Sequence, residues 1–492
     1  MPNEYKDWLV MVYISADGLL ANFAVESLKQ LKRAAGDGVK VVAQFNTDGI
    51  IGARRYFFEK LGDISPLADS KTELPEVSPR VGTSDPEDLR SFIDAAQRKN
   101  PQAKHHALFL WGHGPELLSD EDPKSVAEDE SKKKNSGKPE YLTVSQLRKA
   151  LSETQLAQEP KKKIDILGLD ACSMSMAELA SELGDFVQFM VASQDDVPDM
   201  SFPYEAILPR LRELDSAEEA SKMISDVYGK AYSDYIANPR TGVRAITMSA
   251  IALDKKKMDG ITMPLTRLAG LLLELSKKED ARGEILAARQ KCQAFVFGLF
   301  VDIFDLCQQL RDSNIYSDEL KNTCADIQKV IADRNEVVIA KTPETAHGAP
   351  PDGKVAAGGL SIYFPYRIPD ETEKMQELRA KGSRDHPTKE RIQRIHELER
   401  DFAELNDAWV NTGWTKFIQA GWSSILANEA KPRQLVLDEI YSAQQCAQNL
   451  GSVRQDANGS ARLVRQPPVT PSSKSSVVEM PGSCEESPAV NQ

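Results

Sequence analysis

From Trp8 to Ile14 every residue is apolar, and comparable short runs rich in β-branched and aromatic residues recur along the first half of the chain. They predict strands at 8–15, 39–45, 54–59, 107–111, 164–168, 186–192 and 243–250. Between them lie segments of helical period whose starts carry capping chemistry. Ser84-Asp-Pro-Glu87 opens a helix over about 85–99, and Thr143-Val-Ser-Gln146 opens another. Strands alternating with helices predict a parallel sheet flanked by helices.

After about residue 250 the pattern changes to long amphipathic helices around 254–277, 283–298 and 317–335, followed by one more strand in Gly358-Gly-Leu-Ser-Ile-Tyr-Phe-Pro365. The division predicted is an α/β core over 1–250, a mainly helical part over 251–430 with a strand returning near 358–365, and a terminal segment over 431–492. From about 452 the chain is mostly Ser, Pro, Gln, Gly and Val, which predicts disorder because too little apolar surface is on offer to offset chain entropy. No internal repeat is found.

A chain of 492 residues can bury a large core without disulfides or metals. Its six cysteines, at 172, 292, 307, 324, 446 and 484, form no CxxC pair, so neither a zinc site nor a disulfide framework is suggested. The 74 acidic against 61 basic residues give a net charge of -13, which argues against nucleic acid as partner and suits cationic substrates. The N-terminus lacks the basic start and cleavage site of a signal peptide, which predicts a cytoplasmic protein, or a secreted one if an export signal has been removed. No apolar stretch reaches the ~20 residues of a membrane-spanning helix, so no membrane partner is expected.

Two strand ends carry chemistry. Ala107-Leu-Phe-Leu-Trp111 stops at Gly112-His113-Gly114, and Ile164-Asp-Ile-Leu-Gly-Leu169 stops at Asp170-Ala171-Cys172. Open α/β sheets place their sites outside the carboxyl ends of strands, so a thiol and an imidazole at two such ends can meet as nucleophile and base. Met176, Leu179 and Leu183 recur at helical spacing, which predicts Cys172 just before or at a helix N-terminus, where a thiol pKa is lowered. The backbone N–H groups of Gly114 and Cys172 are candidates to receive an oxyanion. The other five histidines sit in less informative places: His105 and His106 before the strand, His347, His386 and His396 in polar or Pro-rich stretches.

Trp111-Gly-His-Gly114, Asp170-Ala-Cys-Ser-Met174 and Ala192-Ser-Gln194 resemble the motifs of clostripain-type cysteine peptidases, as do Trp8 to Asp17, Phe300-Val-Asp-Ile-Phe-Asp305 and Gly359-Leu-Ser-Ile-Tyr-Phe-Pro365. The similarity spans roughly 5–425, and the order of motifs is more specific than any one of them. It implies a caspase-like α/β/α sandwich with a mostly parallel sheet, and a Cys–His dyad of Cys172 and His113. It also implies cleavage of peptide or protein substrates after Arg or Lys. Asp170 matches the family's acidic specificity residue, where a carboxylate pairs a basic side chain; the alternative for Asp170 is a helix cap. Asp195, Asp196 and Asp199, in the next strand-end loop, are candidates to add negative charge to the same substrate pocket, with Phe202 also assigned there; the alternative for the three aspartates is that they are simply solvated.

The chain departs from the family pattern at Ser173, where an apolar residue is more frequent, and at Ser201-Phe202, where a Gly-Trp pair is common. Related enzymes mature by cleavage between the histidine-bearing and cysteine-bearing strands. Here that region holds Lys132, Lys133, Lys134 and Lys138, in a segment without apolar periodicity that predicts an exposed, self-cleaved loop; the alternative is a solvated charge run. The dyad chemistry requires no cofactor. Related enzymes can depend on calcium, and the acidic stretch Ser119 to Glu130 offers oxygen ligands without EF-hand spacing. Two other functions are compatible with the fold: a silent binding scaffold, against which the presence of both Cys172 and His113 argues, and an acyltransferase or transpeptidase using the same dyad.

Overall fold

The computed structural model of the protein describes residues 7–16, 20–46, 53–70, 85–112, 128–129, 140–159, 162–236, 246–295, 299–342, 357–365, 412–422, 425, 453–455 and 461–463. Residues Met1–Lys431 form one compact unit, and Pro432–Gln492 a second. In chain order the strands of the first unit's two main sheets are β1 (Trp8–Ser15), β2 (Val39–Asn46), β3 (Arg54–Phe58), β4 (His105–Trp111), β5 (Ile164–Asp170), β6 (Val187–Ser193), β7 (Met248–Ala252), β8 (Ala294–Phe295), β9 (Phe300–Asp302), β10 (Val338–Lys341) and β11 (Ser361–Tyr363). The helices are α1 (Leu20–Ala34), α2 (Pro86–Lys99), α3 (Val144–Ser152), α4 (Ala177–Leu183), α5 (Tyr204–Leu211), α6 (Ala217–Ile236), α7 (Lys255–Leu275), α8 (Glu279–Lys291), α9 (Ile303–Asp312) and α10 (Asp318–Ala332).

Eight strands build the large sheet in the order β10-β7-β6-β5-β4-β1-β2-β3. The five from β6 to β2 pair in parallel, while β3, β7 and β10 each pair antiparallel with the neighbour they are added to. The continuous apolar runs follow from burial on both faces: along β1, Leu9, Met11 and Tyr13 join the core that continues under α2, α3, α4 and α7 to α10, whereas Trp8, Val10, Val12 and Ile14 join the core under α1, α5 and α6. The result is a three-layer α/β/α sandwich, as the sequence predicts.

Capping also follows the sequence. Asp85 accepts the Glu87 N–H with Pro86 in the first turn of α2, and Thr143 and Gln146 form a reciprocal capping box at α3. Two elements differ from expectation. The strand expected over 243–250 is described from Met248 to Ala252, with 243–245 outside the described residues, and it runs antiparallel to β6; the helix expected over 283–298 ends at Lys291, where Cys292 turns extended at ψ 143°. The following residues enter a small antiparallel sheet, β8-β9-β11, whose pairing with Phe300–Asp302 overrides local helical periodicity. The helical half also returns a strand, β10, to the edge of the large sheet. In the second unit, Val453–Gln455 pairs antiparallel with Ala461–Leu463; the rest of the tail expected to be disordered from about 452 lies outside the described residues. None of the described helices is long and apolar enough to cross a membrane.

Candidate active site

Strand β5 carries its chain to the carboxyl edge of the sheet between β4 and β6, and Cys172 stands two residues past its end. Cys292, Cys307 and Cys324 are buried thiols, and desolvation pushes the first two well above the ordinary thiol range. Cys172 is half-buried, and so the thiol among the described residues that combines access with a polar environment. Its Sγ accepts the backbone N–H of Val197 at 3.4 Å, from the loop after β6. A backbone N–H aimed at sulfur favours negative charge there.

The same loop holds the next residue. Ser173 N–H donates to the Asp195 carbonyl at 3.1 Å, and Ser175 N–H to the Ser193 carbonyl at 2.8 Å. Ser173 thereby takes a left-handed conformation, φ 57°, at a cost of about 1 kcal/mol or more for a non-glycine residue. These contacts overturn the expected helix N-terminus at Cys172. Residues 172–176 are spoken for by Asp195, Ser193 and a parallel bridge from Met176 to Ser361, so α4 starts only at Ala177.

Asp170 closes β5 and is 1 % exposed. It does not cap a helix. Its Oδ2 accepts the Ser201 hydroxyl and, at 3.0 Å, the Phe202 N–H, while Oδ1 has no partner among the described residues. Burial pushes its pKa up to about 7, against the lowering effect of those two donors. Ser201 is itself left-handed, φ 66°, and its carbonyl accepts the Tyr232 hydroxyl. Ser173 and Ser201 are the non-glycine residues with positive φ among the described residues, and both touch this site. The position where the family commonly has glycine is thus one whose backbone asks for glycine.

Phe202 is fully buried, packed edge-on against Phe109 and Tyr228 with centroids 5.2 Å away in each case. Its N–H is the group that reaches the Asp170 carboxylate, and its ring lies in the core beside it. Asp195, Asp196 and Asp199 do lie in the loop that grips Cys172, with Asp196 and Asp199 exposed and Asp195 half-buried.

On the other side of β5, the Gly112 N–H at the end of β4 donates to the Asp170 carbonyl at 3.2 Å, so the chain that leads to His113 runs beside the chain that leads to Cys172. His113 and Gly114 lie outside the described residues, as do Lys132, Lys133, Lys134, Lys138 and most of Ser119 to Glu130, of which Glu128–Asp129 pairs with Glu140–Tyr141. His105 and His106 are described. They start β4, about 20 Å along a seven-residue strand from its carboxyl end. There His105 contacts Asp215 at 3.1 Å and stacks on Trp8, and the His106 N–H donates to Asp165. Neither reaches the Cys172 edge.

Three of the motifs meet in one buried knot behind Cys172. Asp302, fully buried, accepts from Gln194 Nε2 at 2.9 Å, from the Gly358 N–H and from the Asp305 N–H. The Gln194 Oε1 accepts the Gly359 N–H at 2.8 Å, and the Gly359 carbonyl accepts the Ser175 and Ser249 hydroxyls at 2.7 Å each. Ser361 N–H and Oγ both donate to the Ser175 carbonyl. Ala192-Ser-Gln194, the segment over 300–305 and the segment over 359–365 therefore fix the backbone three residues beyond the nucleophile. The roles of Val197 and Tyr232 carry no sequence signal, since one acts through a backbone N–H and the other through a long-range contact. Among the described residues no group of three or more His, Cys, Asp or Glu could hold a metal ion.

Comparison with known proteins agrees with this architecture. Clostripain of Hathewaya histolytica is 22% identical over 416 residues, covering 74% of this chain and 75% of that protein. A secreted C11 cysteine protease of Bacteroides thetaiotaomicron, solved in complex with an irreversible peptide inhibitor, superposes with TM-score 0.53 at 17% identity, over 76% of this chain and 97% of its own. An inactive zymogen C11 protease of Parabacteroides distasonis does so with TM-score 0.53 at 18% identity, over 83% and 98%. The sequence model of the clostripain family, peptidase family C11, matches residues 12–422, which takes in both strand ends and the buried knot, and the protein belongs to this family of cysteine peptidases.

Proposed function

We propose that the protein is an endopeptidase that cleaves after Lys or Arg. Cys172 attacks the scissile carbonyl as thiolate, and His113 protonates the leaving amine. The backbone N–H groups of Gly114 and Cys172 receive the oxyanion, and water resolves the thioester. The observation that carries the specificity is Asp170: a carboxylate closed off from solvent, two residues before the nucleophile, with Oδ1 unpartnered among the described residues. A buried anion in that condition is stabilised most by a cation brought to it. The net charge of -13 adds long-range attraction for basic substrates. His113 is supported as base by its place directly after Gly112, and by the distance of His105 and His106 from Cys172.

The test is a fluorogenic panel varying only the residue before the scissile bond, run on wild type, Cys172→Ala and His113→Ala. Lys and Arg substrates turn over and Asp substrates do not; Cys172→Ala is inactive and His113→Ala is slower by several orders of magnitude. Equal turnover of an Asp substrate, or full activity in Cys172→Ala, overturns the proposal.

The same specificity, applied to the chain itself, points to self-processing at Lys132, Lys133, Lys134 or Lys138. In support, a protein of like fold has been solved as an inactive zymogen, and the lysine segment lies between the paired Glu128–Asp129 and Glu140–Tyr141. Intact mass of purified wild type shows two pieces and Cys172→Ala shows one; a fully active, uncut wild type refutes it.

A further inference from the structure

The two oxygens of Asp170 are not equivalent. Oδ2 already accepts two hydrogen bonds, from the Ser201 hydroxyl and from the Phe202 N–H, which fills the lone pairs a carboxylate oxygen offers. Oδ1 accepts none among the described residues. Ser201 is held in place to make this contact: its carbonyl accepts the Tyr232 hydroxyl, its backbone stands at φ 66°, and it is fully buried over the aromatic cluster of Phe202, Tyr228 and Tyr232.

We infer that Ser201 is a specificity-determining residue, which occupies one oxygen of the Asp170 carboxylate and thereby makes the enzyme prefer lysine to arginine before the scissile bond. The inference rests on the reading of Asp170 as the anion that receives the basic side chain. A guanidinium gains its advantage over an ammonium by presenting two parallel N–H groups to both oxygens of a carboxylate. With Oδ2 saturated, that fork has one oxygen to meet and its second N–H is left without an acceptor in a buried pocket. A lysine ammonium is a point charge with three rotatable donors, and one open oxygen suffices for it. At the upward-shifted pKa of the carboxyl, a cation on Oδ1 also supplies the compensation that burial withholds.

Ser201→Gly deletes the hydroxyl while suiting the left-handed backbone, whereas Ser201→Ala deletes it but keeps a Cβ in that strained conformation. The experiment measures kcat/KM for three substrates differing only in that residue, Lys, Arg and the neutral lysine isostere norleucine, on wild type, Ser201→Gly and Asp170→Asn, each checked for folding by thermal melting. Wild type favours Lys over Arg. Ser201→Gly raises the Arg-to-Lys ratio roughly tenfold, the worth of one charge-assisted hydrogen bond regained. In Asp170→Asn both basic substrates fall to the level of norleucine. An unchanged ratio in Ser201→Gly overturns the role of Ser201 while leaving Asp170 in place. A basic preference that survives in Asp170→Asn overturns the Asp170 reading itself. Should Ser201→Gly fail to fold, the wild-type ratio decides, because a preference for Arg over Lys contradicts the inference directly.

Discussion

Replacing Asp302 with alanine tests whether the buried knot holds the catalytic edge together. The carboxylate accepts from Gln194 Nε2, Gly358 N–H and Asp305 N–H, and Gln194 and Gly358 are themselves buried. Alanine leaves three donors without an acceptor, and each buried unsatisfied donor costs about 1–3 kcal/mol. With some relaxation the loss is about 3–6 kcal/mol, a large share of the roughly 5–15 kcal/mol that folded domains possess. Asp302→Asn keeps the shape but turns an amide nitrogen toward donors, and costs roughly half as much. Urea unfolding of the three proteins measures this, and kcat/KM at a temperature where each is fully folded shows whether freeing Gly358 and Gly359 also loosens Ser175 and the Cys172 turn.

The knot has a pH signature as well. Burial pushes the Asp302 pKa up to about 6 from an ordinary 3.8, so the folded state binds the proton more tightly than the unfolded state does. The stability this group contributes is fully present below 3.8 and is lost as pH rises through 6, a change of about 3 kcal/mol. The margin of wild type over Asp302→Asn therefore narrows from pH 4 to pH 7. A margin that widens with pH, or an Asp302→Ala protein within about 1 kcal/mol of wild type, refutes the reasoning.

Asp170 ionises as pH rises through about 7, and the anion is the form that attracts a cation, so kcat/KM for a lysyl substrate gains on that for a norleucyl substrate across this range. Asp170→Asn flattens the ratio of the two profiles; a ratio that climbs just as steeply in that variant contradicts the assignment. Gly168→Ala puts a methyl 2.4 Å from Phe109 Cδ1, with Phe109 wedged against Phe202 and Tyr204. Overpacking of this kind costs about 1–3 kcal/mol. A melting temperature equal to wild type would mean that the aromatic cluster under Asp170 is looser than described.

The parallel strands were legible in the sequence because burial on both faces leaves unbroken apolar runs, as from Trp8 to Ile14. The strand β10 was not, since Val338–Lys341 is four residues long and directly follows a helical pattern. The chain from Cys292 to Phe295 misled for a related reason: its period fits a helix, but Asp302 N–H donates to the Gln293 carbonyl and Phe300 pairs with Phe295. At the site, Cys172 and His113 could be picked from strand ends alone, whereas Asp170 was singled out only by its match to a family position. The helix behind Cys172 was legible in Leu179 and Leu183 but its start was not, because Ser173, Ser175 and Met176 are held by partners up to 186 positions away. Periodicity reports a helix's buried face and says nothing of such contacts. Likewise Ser201 stood out only as a departure from a family pattern, and its hydroxyl on Asp170 became visible only with the fold.

The most direct test of the central claim is covalent labelling of the wild-type protein with a peptidyl acyloxymethyl ketone bearing lysine next to the warhead, followed by peptide mapping of the adduct. The account predicts one equivalent of label, carried by the sulfur of Cys172 alone, with activity lost in proportion, and labelling abolished in His113→Ala and slowed in Asp170→Asn. Complete inactivation with the label on any other residue, or full activity in protein quantitatively alkylated at Cys172, would contradict it.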